Sequence, residues 1–348
     1  MSRTLPTAAE AGDAAQPREA LLDVQDLEKH YPVTAGVLRR VVGHVRAVDG
    51  VSFSLAPAET LALVGESGCG KSTLGRTLIR LLDPTAGRIT FRGMDVTHIG
   101  GRELQRYRRR IQMVFQDPYA SLNPRLSASQ SVAEPLRIHR LYDRATERRR
   151  TDALLERVGI PLQDADRLSG QFSGGQRQRI AIARALALEP DVLVLDEPVA
   201  ALDVSTQAQI INLLRDLQHD LGLAYVFISH DLAVVRQVAH RVAVMYLGKI
   251  VETGRAQDVY DRPSHPYVKA LLSAVPISDP ALRGRRQRII LRGDVPNPAD
   301  PPSGCRFRTR CWKAQDVCAE DIPALVERGS GHPVACYFPE SVLEDRLA

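Results

Sequence analysis

The 348 residues carry 46 Lys and Arg against 41 Asp and Glu, a net charge of +5, and the length admits one large domain or two smaller ones. Nearly all of the basic excess is arginine, 41 Arg against 5 Lys, and the basic stretches at residues 106–110 and 137–150 are broken by apolar and acidic residues, so they read as solvated helical faces and no nucleic acid is expected as a partner. No stretch approaches the roughly 18 apolar residues of a membrane-spanning helix, and the start lacks the apolar core of a signal peptide, so the chain is expected neither to span a membrane nor to be exported.

Residues 1–20, rich in Ala, Glu, Thr and Pro and without periodicity, read as a disordered tail. Residues 21–27, 46–55 and 88–92 alternate apolar and polar side chains, as strands of a half-exposed sheet do. The runs that begin at residues 60, 111, 192 and 224 are continuously apolar, the pattern of buried parallel strands.

The first of these, TLALV at 60–64, leads into Gly65, Glu66, Ser67, Gly68, Cys69, Gly70, Lys71 and Ser72, with Thr73 next. This is Gly, four residues, then Gly-Lys-Ser, between a strand and the helical pattern at 72–82, the context that gives the motif its meaning. Glycines let backbone N–H groups wrap phosphates, the helix N-terminus adds a favourable dipole, Lys71 meets the outer phosphates and the Ser72 hydroxyl ligates magnesium. The stretch therefore predicts a nucleoside triphosphate site.

Gln116 ends the run IQMVF at 111–115, and Asp117, Pro118 and Tyr119 begin a crossing into residues near 127–170, which carry mostly helical patterns. Phe172, Ser173, Gly174, Gly175 and Gln176 then open the helical pattern RQRIAIARALAL at 177–188. Two glycines and a serine at a helix start make a second anion cradle, and one chain rarely needs two for one nucleotide. The strand DVLVLD at 191–196 ends on Asp196, which suits magnesium, and the adjoining Glu197 suits the attacking water as general base or orienter. His230 follows the strand AYVFIS at 224–229, and residues 241–254, centred on Gly248, read as a hairpin.

After about residue 255 the composition shifts to Pro, Gly and Arg, and four of the five cysteines, Cys305, Cys311, Cys318 and Cys336, follow with five, six and seventeen residues between them. Reduced thiols, zinc and an iron–sulfur cluster compete as readings. Disulfides are disfavoured inside the cell, structural zinc sites use pairs about two to four residues apart, and the spacing differs from the common ferredoxin patterns. Spacing alone leaves the metal open.

In order and spacing these motifs resemble the ATP-binding cassette (ABC) ATPases, whose signature is Leu-Ser-Gly-Gly-Gln; Phe172 stands in place of the leucine. The resemblance implies an α/β P-loop NTPase fold with an antiparallel β subdomain, an inserted helical subdomain and a separate C-terminal extension. It implies ATP and Mg2+ as ligands, Gln116 as the Q-loop glutamine in contact with magnesium and water, and His230 as the switch histidine on the outer phosphate. Tyr31 would stack on adenine, and Ala201, Leu202 and Asp203 would lie at a dimer seam where Ser173, Gly174, Gly175 and Gln176 of one protomer close over ATP held by the other. Ala200 replaces the usual serine of that seam.

The stretch QMVFQDPYASLNP at 112–124, the tripeptide His265, Pro266, Tyr267 and the stretch PPSGCRFRTRC at 301–311 resemble one branch, the ATP-binding subunit of oligopeptide or dipeptide importers, and specifically the second ATPase of the pair. This resemblance spans about residues 21–339. It implies a nucleotide-binding domain over 21–255 with a helical subdomain at about 117–175, an extension over 256–348, and work at the cytoplasmic face of the bacterial inner membrane. The implied partners are a paralogous ATPase, two membrane permease subunits and a periplasmic or lipid-anchored solute-binding protein. Import of nickel chelates, glutathione or another small solute is the alternative within the class, and a soluble cassette ATPase acting on ribosomes or DNA the alternative outside it. The branch further implies a [4Fe–4S] cluster held by Cys305, Cys311, Cys318 and Cys336.

Overall fold

A computed structural model describes residues 20–36, 40–117, 121–275, 288–329 and 331–340. Residues 1–19 of the tail expected at 1–20, and the crossing residues Pro118 and Tyr119, lie outside them. The continuously apolar runs become β3 (Thr60–Val64), β6 (Ile111–Val114), β7 (Val192–Asp196) and β8 (Ala224–Ser229). With β9 (Arg241–Tyr246) they form a parallel array in the order β9-β3-β8-β7-β6.

Both faces of this array are covered, which is why its strands show no alternation. Ala62, Val64, Leu193, Leu195 and Phe227 pack toward the helices Gly174–Leu186, Val204–Leu221 and Pro266–Ser273. Leu61, Leu63, Val192, Val194 and Ile228 pack on the opposite side, toward the helix Lys71–Leu78 and a second sheet. Each such fully buried Val, Leu, Ile or Phe side chain contributes about 1.5–3 kcal/mol of transfer free energy.

The second sheet is antiparallel in the order β2-β1-β4-β5, from β1 (Leu22–Ala35), β2 (Arg40–Leu55), β4 (Ala86–Phe91) and β5 (Met94–Asp95). Its first two strands run further than the alternation at 21–27 and 46–55 indicates, pairing Tyr31 with Val45 and Ala35 with Arg40. Those ends are mostly exposed, so no buried face imposes a period on their sequence. The helix after the glycine-rich loop stops at Leu78 instead of running to 82. Arg80 adopts φ 56°, and its buried guanidinium donates to the Val96 carbonyl at 2.5 Å, which turns the chain out of the helix.

Between β6 and β7 the chain builds the helices Ala128–Ile138 and Arg144–Arg157, then the helix Gly174–Leu186. Ser127 and Gln130 form a reciprocal capping box at the first, and Asp143 caps the second through the Thr146 N–H at 2.8 Å. The hairpin expected at 241–254 is β9 with β10 (Lys249–Arg255), turning through Leu247 and Gly248, both at positive φ. Beyond it the extension adds β12 (Pro333–Val334) to β10, with Glu252 opposite Val334, and β11 (Val326–Glu327) to β12. The C-terminal segment thus covers an edge of the central sheet that would otherwise present unpaired backbone groups.

Candidate nucleotide site and cysteine pocket

The loop from Gly65 to Gly70 joins the end of β3 to the helix Lys71–Leu78. At Gly70, with φ 107°, an added Cβ would lie 1.9 Å from the Ala47 carbonyl oxygen, so only glycine fits. The Lys71 ammonium donates to the carbonyls of Gly65 at 2.7 Å and Glu66 at 2.9 Å. The Ser72 hydroxyl donates to Asp196 at 2.8 Å, across from the end of β7. Burial pushes the Asp196 carboxyl above the usual range, against the lowering effect of Ser72 and Arg76. A buried carboxylate joined to a hydroxyl in this way is a donor set for a hard divalent cation.

Glu197 adopts φ 46°, a left-handed conformation that a non-glycine residue holds only when its surroundings enforce it. Its N–H donates to the Ile228 carbonyl at 3.0 Å. The Gln116 amide donates to one carboxylate oxygen at 2.8 Å, and His230 Nδ1 lies 3.1 Å from the other. These groups share one cavity of about 530 Å³, walled by residues 65–68 and 70–73 with Gln116, Glu197 and His230.

Several residues singled out from sequence stand elsewhere. Cys69 is buried beneath the loop, 3.7 Å from the Lys71 nitrogen, and is not part of the cavity wall; burial raises its thiol pKa. Tyr31 sits on β1 with the Lys29 ammonium 5.3 Å from its ring centroid, and it too is absent from that wall. Ser173 caps the helix Gly174–Leu186 in a capping box with Gln176. Gly175 packs so closely on that helix's neighbour that a Cβ would meet Thr206 at 2.3 Å. Phe172 points into the core, 3% exposed, so its extra bulk is absorbed there and not presented at the surface. Residues 173–176 and Asp203 do not line the cavity formed by their own chain's loop. Asp203 caps the helix Val204–Leu221, and bonds from Ser205 and Thr206 hold its carboxyl well below the usual range.

The extension reaches the loop directly. The Glu66 N–H donates to the Tyr267 hydroxyl at 2.9 Å, and the Glu66 carboxylate takes both arms of the Arg310 guanidinium, at 2.7 and 3.1 Å. His265 caps the helix Pro266–Ser273 by accepting from the Tyr267 N–H, Pro266 occupies a first-turn position where no donor is needed, and the tripeptide thereby aims Tyr267 at the loop. The fully buried Glu252 accepts from the N–H groups of Ser264 and His265 and from His332, tying the same helix start to β10. Asp49 gathers His30 at 2.9 Å, Lys249 at 3.3 Å and Arg306. Glu28, His30 and Asp49 bring ligand-type atoms within 4.8 Å of one another, but two cationic side chains already occupy Asp49 and the cluster is an ion-pair hub. Nothing in local sequence spacing marks Arg310, Arg306 or Tyr267 as neighbours of the loop.

Cys305, Cys311, Cys318 and Cys336 line one small enclosed pocket with His265, Phe307 and Phe338. The Cys305 N–H donates to the Cys318 carbonyl at 2.8 Å. Burial pushes the thiols of Cys305 and Cys311 up, and that of Cys336 to about 12. No three of the four sulfurs fall within 4.8 Å of one another. A tetrahedral zinc with bonds of about 2.3 Å would draw them to roughly 3.8 Å.

Residues 48–200 match the ABC transporter family, and residues 251–318 match the oligopeptide/dipeptide transporter C-terminal region. The chain is 51% identical over 322 residues to the oligopeptide transport ATP-binding protein AppF of Bacillus subtilis, across 92% of this chain and 98% of that protein. It is 52% identical over 319 residues to the probable peptide ABC transporter ATP-binding protein y4tS of Sinorhizobium fredii, across 92% and 90%. Among solved structures it resembles cbiO1 of Clostridium perfringens, part of the transporter complex cbiONQ, with TM-score 0.61 and 30% identity over 70% of this chain and 91% of that one. It also resembles the dimeric, ADP- and Pi-bound post-hydrolysis state of the cassette MJ0796, with TM-score 0.60 and 29% identity over 68% and 98%. The glycine-rich loop, the parallel array that carries it and the extension that closes on it are those of an ABC transporter ATPase, and the chain belongs to that family, in the branch with the oligopeptide/dipeptide transporter C-terminal region.

Proposed function

We propose that this chain is the ATP-hydrolysing subunit that powers peptide import through separate permease subunits of a bacterial ABC transporter, at the cytoplasmic face of the inner membrane. The observation that carries the hydrolytic reading is Glu197, whose two carboxylate oxygens are held by Gln116 and His230 beside the phosphate loop. There Glu197 accepts the proton of the attacking water, Gln116 and His230 fix the carboxylate's orientation, and Lys71 and the loop N–H groups bind the outer phosphates. Ser72 and Asp196, with Gln116, would hold Mg2+, which when bound neutralises developing phosphate charge. Thr73 completes the phosphate end of the wall.

Ser173, Gly174, Gly175, Gln176 and Asp203 serve the ATP of a second subunit. They lie outside their own chain's cavity, and the helix start at Gly174 offers the same N–H array that binds anions elsewhere. A paralogous ATPase is the proposed partner, with two permeases and a solute-binding protein completing the transporter. Peptide as the solute rests on the names of the relatives. The functional units are 21–255, including the helical subdomain at about 117–175, and 256–348; Tyr31 is the proposed adenine contact.

Cys305, Cys311, Cys318 and Cys336 are the proposed holders of a [4Fe–4S] cluster; what supports this is that the four thiols share one buried pocket and that four thiolates suffice to ligate such a cluster. Bound there, the cluster would cross-link the four segments as a structural staple. The test of the whole reading is purification of the tagged chain from membranes, followed by reconstitution with what accompanies it. ATP-dependent accumulation of a labelled peptide is expected, with two permeases and a second ATPase in the preparation. ATP hydrolysis without peptide accumulation would sink the assignment of solute.

A further inference from the structure

We infer that the C-terminal extension is a brace for the phosphate loop: Tyr267 and Arg310 are positioning residues that hold Glu66, so that ATP affinity depends on the segment carrying the cysteines. This rests on the reading of residues 65–73 as the phosphate site.

Glu66 is gripped twice, and from two parts of the extension. Tyr267 takes its backbone N–H, and Arg310 takes both oxygens of its carboxylate. Neither anchor is free to drift. Tyr267 is fully buried and packs against Tyr246 at 4.8 Å and Phe307 at 5.4 Å between ring centroids. Arg310 has a side chain only 8% exposed. The carbonyl of Glu66 in turn receives the Lys71 ammonium at 2.9 Å, so a displacement of Glu66 displaces the group that meets the phosphates.

The five residues between Cys305 and Cys311 supply three of the hold points. Arg306 binds Asp49 and the Leu247 carbonyl, Phe307 enters the aromatic cluster, and Arg310 reaches Glu66. The turn that Arg306 secures is itself bonded to the loop, through the Gly248 N–H to the Cys69 carbonyl at 2.9 Å. The cysteine-bearing segment therefore contacts the phosphate loop at one end and the turn beneath it at the other. Electrostatics points the same way. Glu66 is an acid in the wall of a polyanion site, and Arg310 neutralises it in a bidentate pair; without Arg310 an unpaired carboxylate would face the triphosphate.

Two measurements on the full chain test this. In the first, binding of a fluorescent ATP analogue with Mg2+ is compared among the wild type, Tyr267→Phe, Arg310→Gln and Arg310→Lys. The first two substitutions are expected to weaken binding by roughly 5-fold or more each, the scale of an ordinary site-to-site coupling. Arg310→Lys should recover part of the loss, because it restores the charge but not the bidentate geometry. In assembled transporter the loss should fall on KM and spare kcat, since no reacting atom is touched. The second measurement is backbone amide exchange at residues 303–318 in the wild type with and without ATP analogue and Mg2+. Coupling is reciprocal, so nucleotide should slow exchange there, and the slowing should vanish in Arg310→Gln. Unchanged affinity in both Tyr267→Phe and Arg310→Gln, or exchange at 303–318 indifferent to nucleotide in the wild type, would overturn the brace. A wild type that binds no nucleotide would overturn the phosphate-site assignment along with it.

Discussion

Replacing Glu197 by Gln isolates the chemical step from nucleotide binding. The carboxylate is held on both sides, by the Gln116 amide at 2.8 Å and by His230 Nδ1 at 3.1 Å. A glutamine at this position can turn its carbonyl oxygen to Gln116 and its NH2 to His230, provided the imidazole presents Nδ1 as an acceptor. The shape of the site is then kept and the basic oxygen lost. Loss of a general base costs about 10²- to 10⁴-fold in rate, which corresponds to about 2.7–5.4 kcal/mol of activation free energy at about 1.36 kcal/mol per tenfold. Binding should be almost untouched, because the groups proposed to hold the phosphates, Lys71, Ser72 and the loop N–H groups, belong to another segment of the wall. The assay is steady-state ATP hydrolysis by the assembled transporter, paired with equilibrium nucleotide binding. A hydrolysis rate within a few-fold of wild type would remove Glu197 from the role of base. An equal loss in affinity and rate would mean that Glu197 holds nucleotide instead of activating water.

Ser173→Arg should suppress hydrolysis at a site whose own phosphate loop is intact; in mixed assemblies with Lys71→Ala, damage placed on one subunit should strike opposite sites, and damage confined to one site would refute the trans arrangement. Asp49→Asn should destabilise the fold at neutral pH by about 1–3 kcal/mol, the cost of leaving charged donors unpaired. Burial raises the Asp49 carboxyl pKa, but Arg306, Lys249 and His30 outweigh it and the net shift is downward from 3.8. The stabilisation is therefore present above the ordinary carboxylate value and lost as pH falls through the lowered one, so urea denaturation should show the gap between variant and wild type closing at the acid end. A gap independent of pH would assign the effect to packing. Anaerobic purification should yield brown protein with about four iron and four sulfide per chain, as four-cysteine ligation of a cubane requires; colourless protein with one zinc per chain would refute the cluster.

Much of the nucleotide site is written in contiguous residues. A phosphate loop is a statement about local backbone: Gly70 must lie where no Cβ fits, Ser173 must cap a helix, and the runs at 60, 192 and 224 must be apolar throughout because both faces of their strands are buried. Those requirements fall on neighbouring positions, so the sequence alone determined where the loop, the helix starts and the parallel strands lie. It also brought the aspartate and glutamate to the end of one strand. The length of β1 and β2 was not legible, since their outer halves are exposed and carry no period.

What only the tertiary structure decided is which distant side chains meet. Glu66 and Arg310 are 244 residues apart, and no spacing rule relates them. Glu66 reads as one residue of the phosphate loop and Arg310 as one of the basic residues beside the cysteines, with nothing to pair them. The convergence of Tyr246, Tyr267 and Phe307 has the same origin, as does the gathering of four unevenly spaced cysteines into one pocket. The strands that join the extension to the central sheet are two residues long, too short to leave a pattern. They exist because β10 offers an edge for them to complete. Sequence period records burial along one element, whereas the join between extension and loop consists of single contacts between elements, and those are fixed only when the chain has folded.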